Sequence, residues 1–366
     1  MANSLAVPIA APFDSMHLVY LGVTKTLTLY AVEKKILNQL NASEQLCHQV
    51  TVPSGFKRRP RSLEHAARWK ANEWKAFLLY YGVPIVCCNS SSKPMTFLFA
   101  LLSTSISILS SKSVNTVAIA AAAELIRAFQ RQLCDNFGYN SMTFSIHALG
   151  HLPNQVLNFG PLWTHSAFAF ESFYGQSTGF VTGTKCEADI ILKIFLRFPA
   201  HRSNRRANSI SQENCIIDRD GVTALKRHQI KAADKSKSEF SAVTVKGIVF
   251  SRKAKTRKVV SRAFAIADLE EPTFVVINEI FYFPESGFHC LVEKYQSKSA
   301  VDEFVNSADP VYDTLVKYSP LKLIRQASTA VIKCNSLTGH FVTIACSSSR
   351  PPCLFAVPVI QDYEHD

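Results

Sequence analysis

Asp14 and His17 stand three residues apart, His147 and His151 four apart, and Glu171 lies among the aromatic residues Phe168, Phe170, Phe173 and Tyr174. Carboxylates and imidazoles so spaced suit general acid–base work or the holding of a divalent cation. A carboxylate among aromatic rings is costly unless it is paired, hydrogen-bonded or bound to a metal. Each group also has a plain structural reading. Asp14 suits the N-cap of a helix, and Glu171 the first turn of another, where the helix dipole favours a negative charge. On a continuous helix His147 and His151 share a face and can hold one Zn²⁺. Pro153 and the lack of an intervening Glu weigh against a zincin-type site, so a satisfied pair of core or surface histidines is the favoured reading. A zinc-stabilised fold using His17, His147 or His151 is kept beside it.

The elements that must carry these residues are mainly helical in the first half. An apolar stretch, Leu5 to Ile9, reads as a strand, and a helix then starts near Asp14 or Ser15, with Leu18, Leu21, Leu27 and Tyr30 spaced along it. Pro53 and Gly55 mark a loop that leads into a basic cluster, Lys57, Arg58, Arg59 and Arg61. Ser62 is placed to cap a helix whose apolar face includes Leu63, Ala66, Trp74, Phe77 and Leu78, and Gly82 with Pro84 would end it. Met95 to Leu109 is too short to cross a bilayer and reads as a buried core helix. Val117 to Leu133 is a further helix that packs Leu125, Ile126, Phe129 and Leu133 inward. His147 to Phe159 is helical, with Pro153 as a kink or a new start, and Gly160 and Pro161 stop it. Asp189 to Phe198 suits a short amphipathic helix.

Composition changes after Phe198. Residues 199–239 are rich in Lys and Arg and poor in large apolar groups, which reads as a basic linker. From about residue 240 short β-rich runs recur, among them Val243 to Phe250, Lys258 to Ile266, Phe274 to Phe283, His289 to Tyr295, Ala330 to Lys333, Phe341 to Cys346 and Leu354 to Ile360. Turn residues separate several of them, as in a small barrel or sandwich. The basic residues Arg252, Lys253, Lys255, Arg257 and Lys258 read as protection of a strand edge, with DNA contact as the other use.

The whole chain of 366 residues is 47% apolar and 19% charged, values of an ordered globular protein. A formal net charge of +12 suits a polyanion, nucleic acid ahead of a membrane, or else a solvated positive face. Ten cysteines without a CxxC pair, several in apolar surroundings, read as reduced and buried thiols of an intracellular protein. Neither a GxGxxG nor a GxSxG occurs, and Gly179 to Lys185 lacks the spacing of a phosphate loop.

Three segments together resemble the CACTA-type (En/Spm-like) DNA transposases. Phe13 to Lys25, FDSMHLVYLGVTK, is similar to a D-x-M-H-L-x-x-L-G-V-x-K element. Arg59 to Tyr80, RPRSLEHAARWKANEWKAFLLY, resembles a basic loop followed by a W-K-A-x-E-W-x-x-F-L-L-Y helix. His147 to Gly175 is similar to an H-x-L-x-H-L-P…G-P-L-W-x-x-S-A-F-x-F-E-x-F-x-G block. The resemblance spans about residues 10–198.

It implies an α+β fold: a partial ribonuclease-H-like core with a large α-helical insertion over residues 1–198, then the basic linker and a small β-rich domain over 240–366. It also implies a D-D-E carboxylate triad holding Mg²⁺ or Mn²⁺ for in-line attack on a phosphodiester. Glu171 matches the final Glu. Asp14 is either the middle acid or part of an Asp-x-x-His element with His17. Lys57, Arg58, Arg59, Arg61, Lys70 and Lys75 would contact DNA phosphates, at transposon ends or without sequence preference. In the family the first acid and the opening strands lie upstream of the Asp-x-Met-His element, and here thirteen residues precede Asp14. The expectation is therefore a nuclear, DNA-binding and catalytically inactive protein, with a homo-oligomer open. A domesticated protein-interaction scaffold without a DNA role is the alternative.

Overall fold

A computed structural model describes residues 11–53, 56, 58–178, 189, 192, 215–226, 229–230, 238–253, 263–346 and 353–360. The fold is mixed α+β: helices dominate the first half of the chain and antiparallel strands the second. The expected strand Leu5 to Ile9, the helix beyond Asp189 and the basic residues Lys255, Arg257 and Lys258 lie outside the described residues.

Wide π turns over Met16–Thr24 run directly into α1 (Lys25–Glu33). After α2 (Gln39–His48) and β1 (Val50–Thr51), Ser62 caps as expected, its Oγ accepting from the Glu64 amide. The element it caps is only a 3₁₀ turn, Leu63–Arg68, because Trp69 and Lys70 are extended. The helix proper begins at α3 (Ala71–Ala76), passes through π turns at Phe77–Tyr81 and continues as α4 (Gly82–Asn89). Gly82 and Pro84 therefore lie within this helical run, where a stop was expected. Pro84 is the third residue of α4.

A glycine lies within the first π segment and another directly follows the second, each five residues after a carbonyl that presses on it. A Cβ at Gly22 would lie 2.8 Å from the His17 carbonyl oxygen, and one at Gly82 2.6 Å from that of Phe77. The i→i+5 turn brings that carbonyl over the glycine, and only a residue without a side chain admits it.

The long core helices follow their sequence periodicity. Ser92 caps α5 (Lys93–Leu109), in which every residue from Met95 to Leu109 is buried. Asn115 caps α6 (Thr116–Phe137), whose Leu125, Ile126, Phe129 and Leu133 face the core, and Gly138 at φ 81° ends it. Pro153 is a new start: α7 (Phe144–Ala148) gives way to a 3₁₀ turn, Leu149–His151, and then to α8 (Leu152–Phe159). Gly160, at φ 83°, turns the chain towards α9 (Ala167–Thr178).

The stretch read as linker carries β2 (Cys215–Ile217), β3 (Thr223–Leu225), β4 (Gln229–Ile230) and, at its end, β5 (Ser238–Phe240). The hairpin of β6 (Ala242–Val245) and β7 (Ile248–Ser251) turns on Lys246 and Gly247, both at positive φ as a tight hairpin requires. The remaining strands are β8 (Phe264–Asp268), β9 (Pro272–Phe283), β10 (Gly287–Ser299), β11 (Lys322–Lys333), β12 (Leu337–Cys346) and β13 (Cys353–Pro358). A short helix, α10 (Tyr312–Tyr318), stands between β10 and β11.

Pairing runs β8–β12–β13–β11–β10–β9 and returns to β8, which closes a six-stranded antiparallel barrel. All six strands contribute to one cluster, Phe264, Ile266, Phe274, Tyr295, Ile324, Phe341, Leu354 and Ala356, which fills the interior. Many of the alternate residues, which point outward, are buried against a second layer, although those of β11 such as Arg325 and Val331 are exposed. Ala265, Ala267, Val275, Ile277, Cys290 and Val292 meet the small sheet β2–β3–β6–β7. Val342, Ile344, Cys346, Phe355 and Val357 join the core of the helical region.

The helical region is fastened to β12 by backbone and side chains. β1 pairs with it at Val50–Ile344 and Thr51–Thr343. Gln45 donates to the Ala345 carbonyl at 2.7 Å, and Asn89 donates to Gln45 at 2.6 Å. Beside this seam Cys88 and Cys346 form a disulfide, with Cα atoms 6.4 Å apart. This departs from the reading of all cysteines as thiols, since the two meet only when α4 docks on β12, 258 residues away in sequence.

Gly82→Ala is expected to cost about 1–3 kcal/mol through the clash with the Phe77 carbonyl. Gly175→Ala, with nothing within 4 Å of the added Cβ, should be neutral or stabilising by up to ~1 kcal/mol. Urea denaturation of the two variants checks this, and equal effects would show that the π turn does not need its glycine.

Candidate functional site

Asp14 lies just before the π turns that begin at Met16, and its carboxylate serves two helix starts. Oδ1 accepts from the Met16 amide at 3.1 Å, from the Ala167 amide at 2.7 Å and from Ser166 Oγ at 3.4 Å. Oδ2 accepts from the His17 amide at 3.0 Å and faces the His17 ring Nδ1 at 2.5 Å. Ala167 is the first residue of α9, 153 positions along the chain. One carboxylate thus satisfies orphan N–H groups of two helices and places its negative charge at both positive ends.

The His17 ring continues the chain of contacts. Its Nε2 lies 3.6 Å from Glu171 Oε1, one turn into α9. Asp14, His17 and Glu171 therefore form one row with the imidazole in the middle. The ring is within hydrogen-bond reach of Asp14, and at 3.6 Å it stands beside Glu171 as an ion-pair neighbour.

Burial pushes the Asp14 carboxyl up, but the hydrogen bonds from Ala167, the His17 ring and the amides of His17 and Met16 outweigh it, and the carboxyl ends below its ordinary value. Since the folded pKa is lowered, the stabilisation is complete above the unfolded value and is lost as pH falls through the folded one.

Behind Asp14 stands a clamp for which sequence reasoning assigned no residues. Gln155, buried on α8, accepts from the Phe13 amide at 2.8 Å and donates to the Phe13 carbonyl at 2.7 Å. Its Nε2 also meets His165 Nε2 at 2.5 Å. Burial pushes the His165 ring down, against the pull of the Asp14 charge, which suits a neutral ring that accepts the Gln155 proton. The signal for Ser166 was present: a serine before an apolar helical run is a start mark. Gln155 and His165 carry no such local signature.

The other expected residues are placed as follows. His151 stacks on Phe13, with ring centroids 6.0 Å apart, and meets His147 edge-on at 5.3 Å. Among the described residues no group of three or more His, Cys, Asp and Glu side chains is arranged to hold a metal ion. The aromatic surround of Glu171 is largely open: Phe170, Phe173 and Tyr174 are exposed, as is Glu171 itself. Phe168 packs inward, 6.0 Å from Tyr20 and under the Lys75 ammonium at 5.4 Å.

In the basic loop Lys57 lies outside the described residues. Arg61 makes a bidentate pair with buried Glu73, Nε to Oε1 at 2.5 Å and an N–H to Oε2 at 2.8 Å, and Arg58 lies 3.9 Å from the same carboxylate. Glu73 also accepts from the Lys70 amide at 2.8 Å, which closes the first turn of α3. Arg59 and Lys70 have exposed side chains. On the β side, the Lys253 ammonium lies 3.7 Å from Glu293.

A cleft of about 190 Å³ opens beside this site between Pro12, Phe13, His151, Asn154, Asn158 and Phe159. Among the described residues no helix is long and apolar enough to cross a membrane. Compared with protein-family models, with curated proteins and with solved structures, the chain finds no match in any of the three.

Asp14→Asn is expected to destabilise the fold by about 1–3 kcal/mol, the range for hydrogen bonds to a charged partner. The gap from wild type should begin to shrink as pH falls through about 3.9, the unfolded value, and close only below the lower value of the folded carboxyl. Denaturant midpoints from pH 3 to 7, with amide exchange at Ala167, measure this; a gap that does not change with pH would mean the charge on Asp14 is not what holds α9.

Proposed function

We propose that this chain is a transposon-derived DNA-binding protein, related to CACTA-type transposases, that does not itself cut or join DNA. The observation carrying the lineage is spatial. The three segments that resemble the family come from distant parts of the sequence and meet around Asp14 and Phe168: Asp14 and Tyr20 from the first, Lys75 from the second, Gln155, Ala167 and Phe168 from the third. In this reading the helix after Asp14 and α9 belong to a partial ribonuclease-H-like core, and the helices from α2 to α8 are its insertion.

Inactivity is argued from the same carboxylate. Two carboxylate oxygens offer about four lone-pair sites, and those of Asp14 already accept from Met16, Ala167, His17 and its ring, with Ser166 further off. Glu171 reaches Asp14 only through the His17 ring. Asp14 and Glu171 so arranged do not fit a shared Mg²⁺ or Mn²⁺, and no phosphodiester chemistry is assigned to them. Purified protein with either ion should leave supercoiled DNA intact; robust nicking that Glu171→Gln abolishes would overturn the inactive reading.

DNA binding rests on the net charge of +12 and on Arg59 and Lys70, which stay exposed while Arg61 is committed to Glu73. Affinity should fall steeply as salt rises, and Arg59→Ala with Lys70→Ala should reduce the slope of log K against log salt by about 2. Salt-independent or absent binding would favour the second reading, a protein-interaction scaffold without a DNA role, for which the exposed Phe170, Phe173 and Tyr174 of α9 speak.

A further inference from the structure

Four cysteines from three elements gather where the helical region meets the barrel. Cys87 and Cys88 end α4, Cys346 ends β12, and Cys353 opens β13. Cys88 and Cys346 are joined. Cys353 is the register partner of Cys346 across the antiparallel pair and carries a thiol. The Cα separation of directly opposed residues, about 4.5–5.5 Å, falls within the range that a disulfide spans. Cys346 therefore stands between two possible partners, one across the seam and one on its own sheet.

We infer that this cluster is a thiol–disulfide exchange switch in which Cys353 moves the Cys346 bond off Cys88. The Cys353 thiolate attacks Cys346 Sγ, a Cys346–Cys353 bond forms, and the Cys88–Cys346 bond breaks. Cys88 leaves as a thiolate and takes up the proton that Cys353 gave to solvent, so the exchange needs no oxidant or reductant. The adjacent thiol, Cys87, is poorly suited to the attack: burial, with Glu303 and Cys353 nearby, pushes it up to about 11. Cys353 is half-buried and its strand is paired on both sides, by β12 and β11, so the attacking group is held in place by the sheet.

The exchange changes what the bond holds together. With Cys88–Cys346 closed, α4 is tied covalently to β12 beside the Asn89–Gln45–Ala345 hydrogen bonds and the β1–β12 pairing. With Cys346–Cys353 closed, the bond lies wholly within the barrel and the seam relies on those noncovalent contacts.

The test is disulfide mapping of the full chain, equilibrated in graded glutathione buffers, acid-quenched and alkylated before proteolysis and mass spectrometry. Wild type should yield both the Cys88–Cys346 and Cys346–Cys353 peptides. Cys353→Ser should lose the second and slow the release of the Cys88 thiol at least tenfold, while Cys87→Ser changes neither. Cys353→Ala repeats the measurement if serine disturbs the strand, with circular dichroism to verify the fold. Finding neither linkage, only Cys88–Cys346 in wild type, or equal release in wild type and the Cys353 variants would overturn the switch.

Discussion

The Asp14 carboxylate stands at the amino ends of two helices that lie far apart in sequence, and much of the helical region is arranged around keeping it there. A helix start leaves N–H groups without partners and carries a partial positive charge. Two such starts facing one another would repel unless an anion stood between them. Asp14 is that anion for Met16–Thr24 and for α9. Its position is enforced from behind, because Gln155 holds both backbone groups of Phe13 and His165 orients Gln155. The aromatic contacts, Phe13 on His151 and Phe168 on Tyr20, then close the two sides of the joint.

The contacts of Asp14 are those of a capping carboxylate. A capping carboxylate and a metal-holding carboxylate make opposite demands: the cap must turn its lone pairs towards amides, the ligand must keep them free. Here the amides have them. The same logic applies at Glu73, where the Arg61 fork and the Lys70 amide take both oxygens. In both places a residue of a resembling segment does structural work in this chain.

Legibility from sequence follows the range of the interaction. The core helices α5 and α6 were readable because their apolar pattern is local, although the caps at Asn115 and Gly138 that set the ends of α6 were not read. Most of the β-rich runs were readable for the same reason, but the run Val243 to Phe250, read as one strand, is a hairpin that turns on Lys246 and Gly247. The π turns were not, since Gly22 and Gly82 look like ordinary helix-weakening residues until a carbonyl five positions back is seen to press on them. Barrel closure through β8, the Arg61–Glu73 pair and the Gln155 clamp depend on neighbours that no spacing rule supplies. Asp14, His17 and Glu171 were each visible as residue types; that the imidazole would lie between the two acids was not.

The barrel explains why β8, β12 and β13 carry few polar positions on either side, while β11 keeps exposed residues such as Arg325 and Gln326. A small closed barrel fills its interior with one set of alternate residues, as Phe264, Phe274 and Phe341 do with centroids 4.9–5.5 Å apart. Its outer set would ordinarily face water. Here one outer face takes the small sheet and another takes the helical region, so Ala265, Val275 and Ile277 on one side and Val342, Ile344 and Phe355 on the other are as buried as the interior. The barrel is thus the shared wall against which both neighbours complete their cores. The helical region depends on it directly: with β1 drawn into pairing with β12 and Gln45 spent on the Ala345 carbonyl, separating the two would strand backbone groups as well as apolar surface.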